Sequence, residues 1–211
     1  MNRRRPPGRR ITVSVPATTA NLGPGFDCLG AALAWRNTFE CTLLPRGSAR
    51  RLAVEVCGPE SDGIPTDERN LVYRAVAKVF ARCRITVPPV QLRIISEIPL
   101  ARGLGSSATG IVAGVLIGNH LCGCRLEERE LLNIAAGLEG HPDNVAPALL
   151  GGLCVVTMRG KRVTAVRLDP PSGLRALLLV PSIRVPTSRA RAVLPERYSC
   201  LLYTSPSPRD S

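Results

Sequence analysis

The sequence predicts an α+β domain, and two observations carry that reading. Segments that alternate apolar and polar residues, such as 11–15 and 90–94, are mixed with helical stripes. They do not follow the strict strand–helix alternation of a doubly wound sheet. A glycine-rich turn at 99–105 then sits between a predicted strand and a helix of small residues.

Ile11-Thr-Val-Ser-Val15 alternates as a strand and is expected to end at Pro16. The run Ala17–Gly30, rich in Gly, Asn, Thr and Pro, reads as an ordered loop. Strands are expected at Phe39–Leu44 and Leu52–Cys57, followed by a loop over Gly58–Asp67. Asn70 is a good helix cap, because its side chain can accept from the first free backbone amides. Leu71, Val72, Ala75, Val76, Val79 and Phe80 form one apolar stripe behind it. Val90–Ile94 alternates as a strand and leads to Pro99. Ala108–Leu121 reads as a buried helix, Leu126–Leu138 as an amphipathic one, and Asp143–Leu150 as a short third. Leu153–Met158, Val163–Leu168 and Ala176–Val180 read as strands, and Thr187–Leu194 as the start of a helix.

Composition narrows the function classes. With 45% hydrophobic residues the chain is too apolar for a disordered one, and no apolar run reaches the roughly 18–20 residues that span a bilayer, so no membrane partner is expected. The formal net charge is +12, yet only Lys78 and Lys161 among the 28 basic residues are lysines, and beyond residues 1–10 the arginines are spread along the chain. A nucleic-acid binder concentrates its charge on one face, so no nucleic-acid partner is expected. Residues 1–10 form a basic tail with no apolar core behind it, unlike a secretory signal. None of the eight cysteines forms a CxxC pair, and Cys122-Gly-Cys124 has no matching second pair at zinc-site spacing. Cys41, Cys57 and Cys154 lie in apolar segments as small hydrophobes, which suits a reducing compartment. The cytoplasm is the expected location. The alternative is a plastid, with the basic start as the remnant of an address.

Pro99-Leu-Ala-Arg-Gly-Leu-Gly-Ser-Ser-Ala-Thr109 is the most informative string. Gly103 and Gly105 admit backbone conformations closed to other residues and let a ligand approach the main chain. Ser106 and Ser107 open a helix whose first N–H groups have no partner and carry partial positive charge, which makes an anion cradle. No Lys-Ser/Thr pair follows as in a Walker A loop, and no third glycine completes a dinucleotide fingerprint. Glycines alone would equally suit a tight strand–helix turn.

Two further clusters stand out. Pro16-Ala-Thr-Thr-Ala-Asn-Leu-Gly-Pro-Gly-Phe-Asp-Cys-Leu-Gly30 presents an amide, Asn21, and a carboxylate, Asp27. Together they suit a zwitterion, since the carboxylate can hold an ammonium; both residue types are also common turn formers. Glu139, His141, Asp143 and Asn144 crowd four polar groups between a helix and a strand, where Asp143 or Asn144 could equally cap the next helix. Thr187 and Arg191, at the start of the last helix, could hold a carboxylate or phosphate, or simply form a solvated basic end.

Taken together, Pro-x-x-x-Gly-Leu-Gly-Ser-Ser-Ala at 99–108, the 16–30 loop and the 138–152 string resemble the GHMP small-molecule kinases in their homoserine kinase form. The resemblance covers about Ile11 to Leu194. It implies the family's N-terminal fold, a ribosomal protein S5 domain 2-like α+β domain, over residues 11–168. Residues 169–199 would start an incomplete C-terminal α+β domain, and 200–211 would be an unrelated tail. The activity implied is ATP-dependent phosphorylation of the L-homoserine hydroxyl.

ATP would lie on Pro99, Leu100, Ala101, Arg102, Gly103, Leu104, Gly105, Ser106, Ser107, Ala108 and Thr109. Magnesium would be held by Ser107 and Glu139, and homoserine by Asn21, Asp27, His141, Asp143, Thr187 and Arg191. The catalytic pair would be Asp143 and Asn144, with Asp143 positioning the substrate first and acting as a base second. Phosphoryl transfer through a loose transition state needs placement and charge neutralisation more than early proton removal. Because homoserine kinases are longer, a pocket without their second domain is expected to stay partly open and the chain to have little kinase activity. A homodimer is the assembly entertained. The competing readings are a GHMP kinase for another small alcohol, and a non-catalytic nucleic-acid-binding domain of the same fold.

Overall fold

The computed structural model describes residues 10–45, 47–180 and 187–194, with side chains from residue 190 in the last stretch. Strands β1 (Arg10–Ala20) and β2 (Leu29–Leu43) form a long antiparallel pair. Arg10, expected in a tail, is the first residue of β1. Against expectation, β1 does not stop at Pro16 but runs four residues further, to Ala20. Proline lacks an N–H to donate, and two features absorb that loss. Among the described strands β1 bonds only to β2, and its register shifts between Pro16 and Thr18. The true loop is therefore only 21–28.

β2 is the spine of the sheet. Residues 38–43 pair with β4 (Val90–Ile95), and residues 29–31 pair with β5 (Leu153–Arg159), which pairs in turn with β6 (Arg162–Leu168). β3 (Leu52–Cys57) lies parallel to β4 at the outer edge. Only the second half of β2 was expected, because 29–36 is rich in Gly and Ala and shows no apolar alternation.

Helix α1 (Leu71–Arg82) packs against α2 (Ser106–Leu121) and α3 (Glu128–Glu139), which with α4 (Val145–Leu150) pack against the sheet; α5 (Thr187–Ala192) follows later. The core is formed by Val15, Phe39, Leu92, Ile94 and Val156 from the sheet, and Val76, Val79, Ile111, Val115 and Leu132 from the helices. α2 is buried nearly all round, which explains its apolar, small-residue middle from Gly110 to Gly118. Its small residues have a packing reason. A Cβ on Gly114 would stand 2.4 Å from the Val72 carbonyl oxygen, and one on Gly118 would stand 2.9 Å from Val79 Cβ. Only glycine at these successive turns lets α1 and α2 approach this closely.

Asn70 caps α1 as expected, accepting from the Val72 amide at 3.0 Å. α3 begins two residues later than expected, because Glu127 and Glu130 form a capping box in front of it. The expected strand at Ala176–Val180 is not formed: Leu177 is 90% exposed, Leu179 is 89% exposed, and the segment pairs with no described strand. An apolar run becomes a strand only where an edge is offered to its amides. No described helix is long and apolar enough to cross a membrane. Most of the basic tail and all of the 200–211 tail lie outside the described residues.

Candidate active site

The glycine-rich turn leads from β4 into α2. Ala101, Gly103 and Gly105 have φ of 56°, 72° and 63°. Alternating left-handed residues turn successive N–H groups toward one side, forming a concavity that suits an anion. The 16-residue helix α2 starts directly after it, with no side chain capping its N-terminal amides. Ser106 and Ser107 open the helix as expected.

The turn borders a cavity of about 360 Å³. Leu100–Ser107 form one wall, and Glu139, His141 and Asn144 are also among its lining residues. A third, largely apolar part of the wall was not anticipated: Phe39, Ile64, Pro65, Leu71 and Ile94. Gly63-Ile-Pro ahead of the Asn70 cap is the one sequence signal that could have found it. Asn37 was missed as well. From mid-strand in β2 it donates to Thr109 Oγ1 at 3.1 Å and accepts from the amides of Glu97 (2.8 Å) and Ile98 (3.0 Å). That fixes the approach to the turn and the start of α2. Arg102 lies along the wall, donating to the Leu100 carbonyl at 3.2 Å with Glu60 3.8 Å away.

The two groups expected to share magnesium are in contact: the Ser107 hydroxyl donates to Glu139 Oε1 at 2.6 Å. Both are hard oxygen donors at the mouth of the amide cradle. No group of three or more His, Cys, Asp or Glu arranged to hold a metal ion is found among the described residues. One carboxylate and one hydroxyl therefore suit an ion that keeps waters and takes further oxygens from a phosphate, as magnesium does.

His141 and Asp143 form a pair, with Nδ1 and Oδ1 2.5 Å apart. Asp143 is fully buried, and its Oδ2 has no hydrogen-bond partner among the described residues. It does not line the cavity, so among the expected contact residues it stands behind His141. The hydrogen bond to Asp143 raises the His141 pKa above its ordinary value, with burial opposing it. Asn144 occupies the N-cap position of α4, but its side chain caps nothing; its Oδ1 is instead 2.8 Å from the Thr18 hydroxyl.

In the 21–28 loop, Asn21 and Asp27 both adopt left-handed φ, 57° and 56°. Asn21 Oδ1 accepts from the Asp27 amide at 2.9 Å, so Asn21 serves the turn. Asp27 takes a bidentate ion pair from Arg191 on α5, with Nη1 to Oδ2 at 2.9 Å, and the guanidinium lies 5.0 Å above the Phe26 ring. The structure thus brings together two residues expected to grip opposite ends of a zwitterion, and they hold each other. The Arg191 hydrogen bond, against burial, keeps the Asp27 carboxyl below its usual range. Thr187 is the first residue of α5, and its side chain lies outside the described part.

Residues 70–152 match the family model for the GHMP kinases N terminal domain. The chain carries a GHMP kinase N-terminal domain. The matched span of this GHMP domain runs from the α1 cap through the turn and Asn144 to Gly152, while the 16–30 loop and Arg191 lie outside it. A homoserine kinase of Synechocystis sp. is 48% identical over 188 residues, 89% of this chain and 61% of the relative. One of Deinococcus radiodurans is 48% identical over 193 residues, 92% of this chain and 61% of the relative. The chain thus spans about three fifths of the curated relatives' length. The crystal structure of homoserine kinase from Cytophaga hutchinsonii superposes with a TM-score of 0.77 at 29% identity, covering 92% of this chain and 62% of that one. An L. major mevalonate kinase, at 17% identity and a TM-score of 0.60, shares the fold.

Proposed function

We propose that this GHMP domain binds ATP in the cavity beside the 99–109 turn and contributes to phosphoryl transfer onto the L-homoserine hydroxyl. The observation that carries the reading is convergence. The cradle of left-handed residues at 101, 103 and 105, the Ser107–Glu139 pair and the His141/Asn144 wall border one cavity. The 44–48% identity to proteins named homoserine kinase supports the choice of acceptor.

The amides opening α2 would take phosphate oxygens, and the apolar wall of Ile64, Pro65 and Leu71 would take the base. Ser107 and Glu139 would hold magnesium, which when bound neutralises phosphate charge. Asp27 and Arg191 would separate to receive the substrate's ammonium and carboxylate. An ion pair opposite each end replaces the pair they make with each other, so the exchange leaves no charge uncompensated. His141 would donate from Nε2 toward the substrate, its other ring nitrogen being fixed by Asp143. Residues 169–199 would start the family's second domain, and the cytoplasm is the proposed compartment.

Calorimetric titration of the chain with MgADP, then with L-homoserine in its presence, tests the reading. MgADP should bind, and Asp27→Asn or Arg191→Ala should each weaken homoserine. Tighter binding of (R)-mevalonate than of homoserine would overturn the acceptor assignment.

A further inference from the structure

We infer that Thr18 is a positioning residue that sets which end of the Asn144 amide faces the cavity. Thr18 belongs to β1, is fully buried, and lies in the bulged stretch that was expected to be loop. Its amide donates to the Leu104 carbonyl at 3.1 Å, and its hydroxyl is 2.8 Å from Asn144 Oδ1. One residue therefore joins the first strand, the glycine-rich turn and the 139–144 cluster.

Gly105 makes the junction possible. A Cβ there would stand 1.9 Å from Thr18 Oγ1 and 3.1 Å from Asn144 Oδ1. With a hydrogen in place of a Cβ, Gly105 leaves room in which the hydroxyl and the amide can meet.

An asparagine amide has an accepting end and a donating end. When the Thr18 hydroxyl donates to Oδ1, the two Nδ2 hydrogens are turned toward the cavity that Asn144 lines. That wall already carries the Glu139 carboxylate. A second acceptor would repel a phosphoryl group, whereas a fixed donor stabilises its oxygens as charge develops, without reorganising at the moment of transfer. Thr18 touches neither nucleotide nor acceptor in this scheme and acts through Asn144. The anionic ligand rests on the kinase reading above; the amide orientation does not.

The test separates the two. In the ¹⁵N-labelled chain the Asn144 side-chain amide pair is assigned by its loss in Asn144→Asp. The Nδ2 protons should show no close contact to the Thr18 methyl, the pair should shift in Thr18→Val, and it should stay in place in Thr18→Ser. Close contacts from Nδ2 to Thr18 in the unmodified chain would show the amide reversed and overturn the inference. In calorimetry with magnesium, Thr18→Val should weaken AMP-PNP about fivefold, the size of one neutral hydrogen bond, while ADP is unchanged. Thr18→Ser should restore it. An equal loss for both nucleotides, or no rescue by serine, would reduce Thr18 to a packing residue and overturn the proposal. If the unmodified chain binds neither nucleotide, the kinase reading falls, and the amide contacts still decide on Thr18.

Discussion

Alanine at Gly105 and alanine at Gly103 should differ in cost, although both glycines have left-handed φ, 63° and 72°. Placing a Cβ in that region costs about 1–2 kcal/mol, and the loss of unfolded-state freedom returns about 0.4–1 kcal/mol. For Gly103→Ala nothing lies within 4 Å of the new atom, so the net cost is that difference alone, about 0–1.6 kcal/mol. Ala101 is the native precedent, carrying a Cβ at φ 56° in the same turn. For Gly105→Ala the Cβ would meet Thr18 Oγ1 at 1.9 Å. Thr18 is fully buried and β-branched, so it cannot swing away. Overpacking of this kind adds about 1–3 kcal/mol. A difference of about 2 kcal/mol corresponds to about 4–8 °C in Tm for a chain of this size. Scanning calorimetry of the two variants measures it. Thr18→Ala in the Gly105→Ala background should recover part of the loss, a coupling of about 0.5–3 kcal/mol. If Gly103→Ala melts as low as Gly105→Ala, or if Thr18→Ala makes the double variant worse by its full single cost, the steric reasoning is wrong.

Three other outcomes are expected. Asp27 has a lowered pKa from its Arg191 hydrogen bond, so the stability of this contact is present above the ordinary carboxylate value of about 3.9 and lost as pH falls through the lowered one. Both side chains are 35% exposed, which limits the contribution to under about 1 kcal/mol. Amide protection in α5, taken relative to the intrinsic exchange rate at each pH, should therefore fall at acid pH, and at neutral pH in Asp27→Asn. His141 has a raised pKa through Asp143, so its contribution is complete below about 6.5 and lost as pH rises through the raised value. Proton NMR of the two histidines should show His141 titrating lower in Asp143→Asn, and an unchanged titration would refute the cause. Glu139→Gln should reduce the magnesium-dependent gain in ADP affinity by about tenfold, measured with and without the metal, while leaving metal-free ADP binding no weaker.

Much of the candidate site was legible because it depends on local chemistry. Gly103 and Gly105 signal a turn, Ser106 and Ser107 a helix start, and Asn70 a cap, all within a few residues of their effect. The apolar wall of Ile64, Pro65 and Leu71 was barely legible: Gly63-Ile-Pro marks an apolar loop ahead of the cap, but not that the loop and the helix start will face a turn thirty-odd positions later. The continuation of β1 past Pro16 was hidden for a related reason: proline reads as a stop unless the strand has a free edge, and only the sheet order supplies one.

By itself, then, the sequence determined the helical stripes, the cap and the glycine-rich turn, because each follows from backbone preferences and side chains close in the chain. Tertiary structure alone decided the rest. It paired Asp27 with Arg191 across 164 positions and set Thr18 against Asn144 across 126. These contacts depend on where β1, α4 and α5 come to rest, and no local preference encodes that.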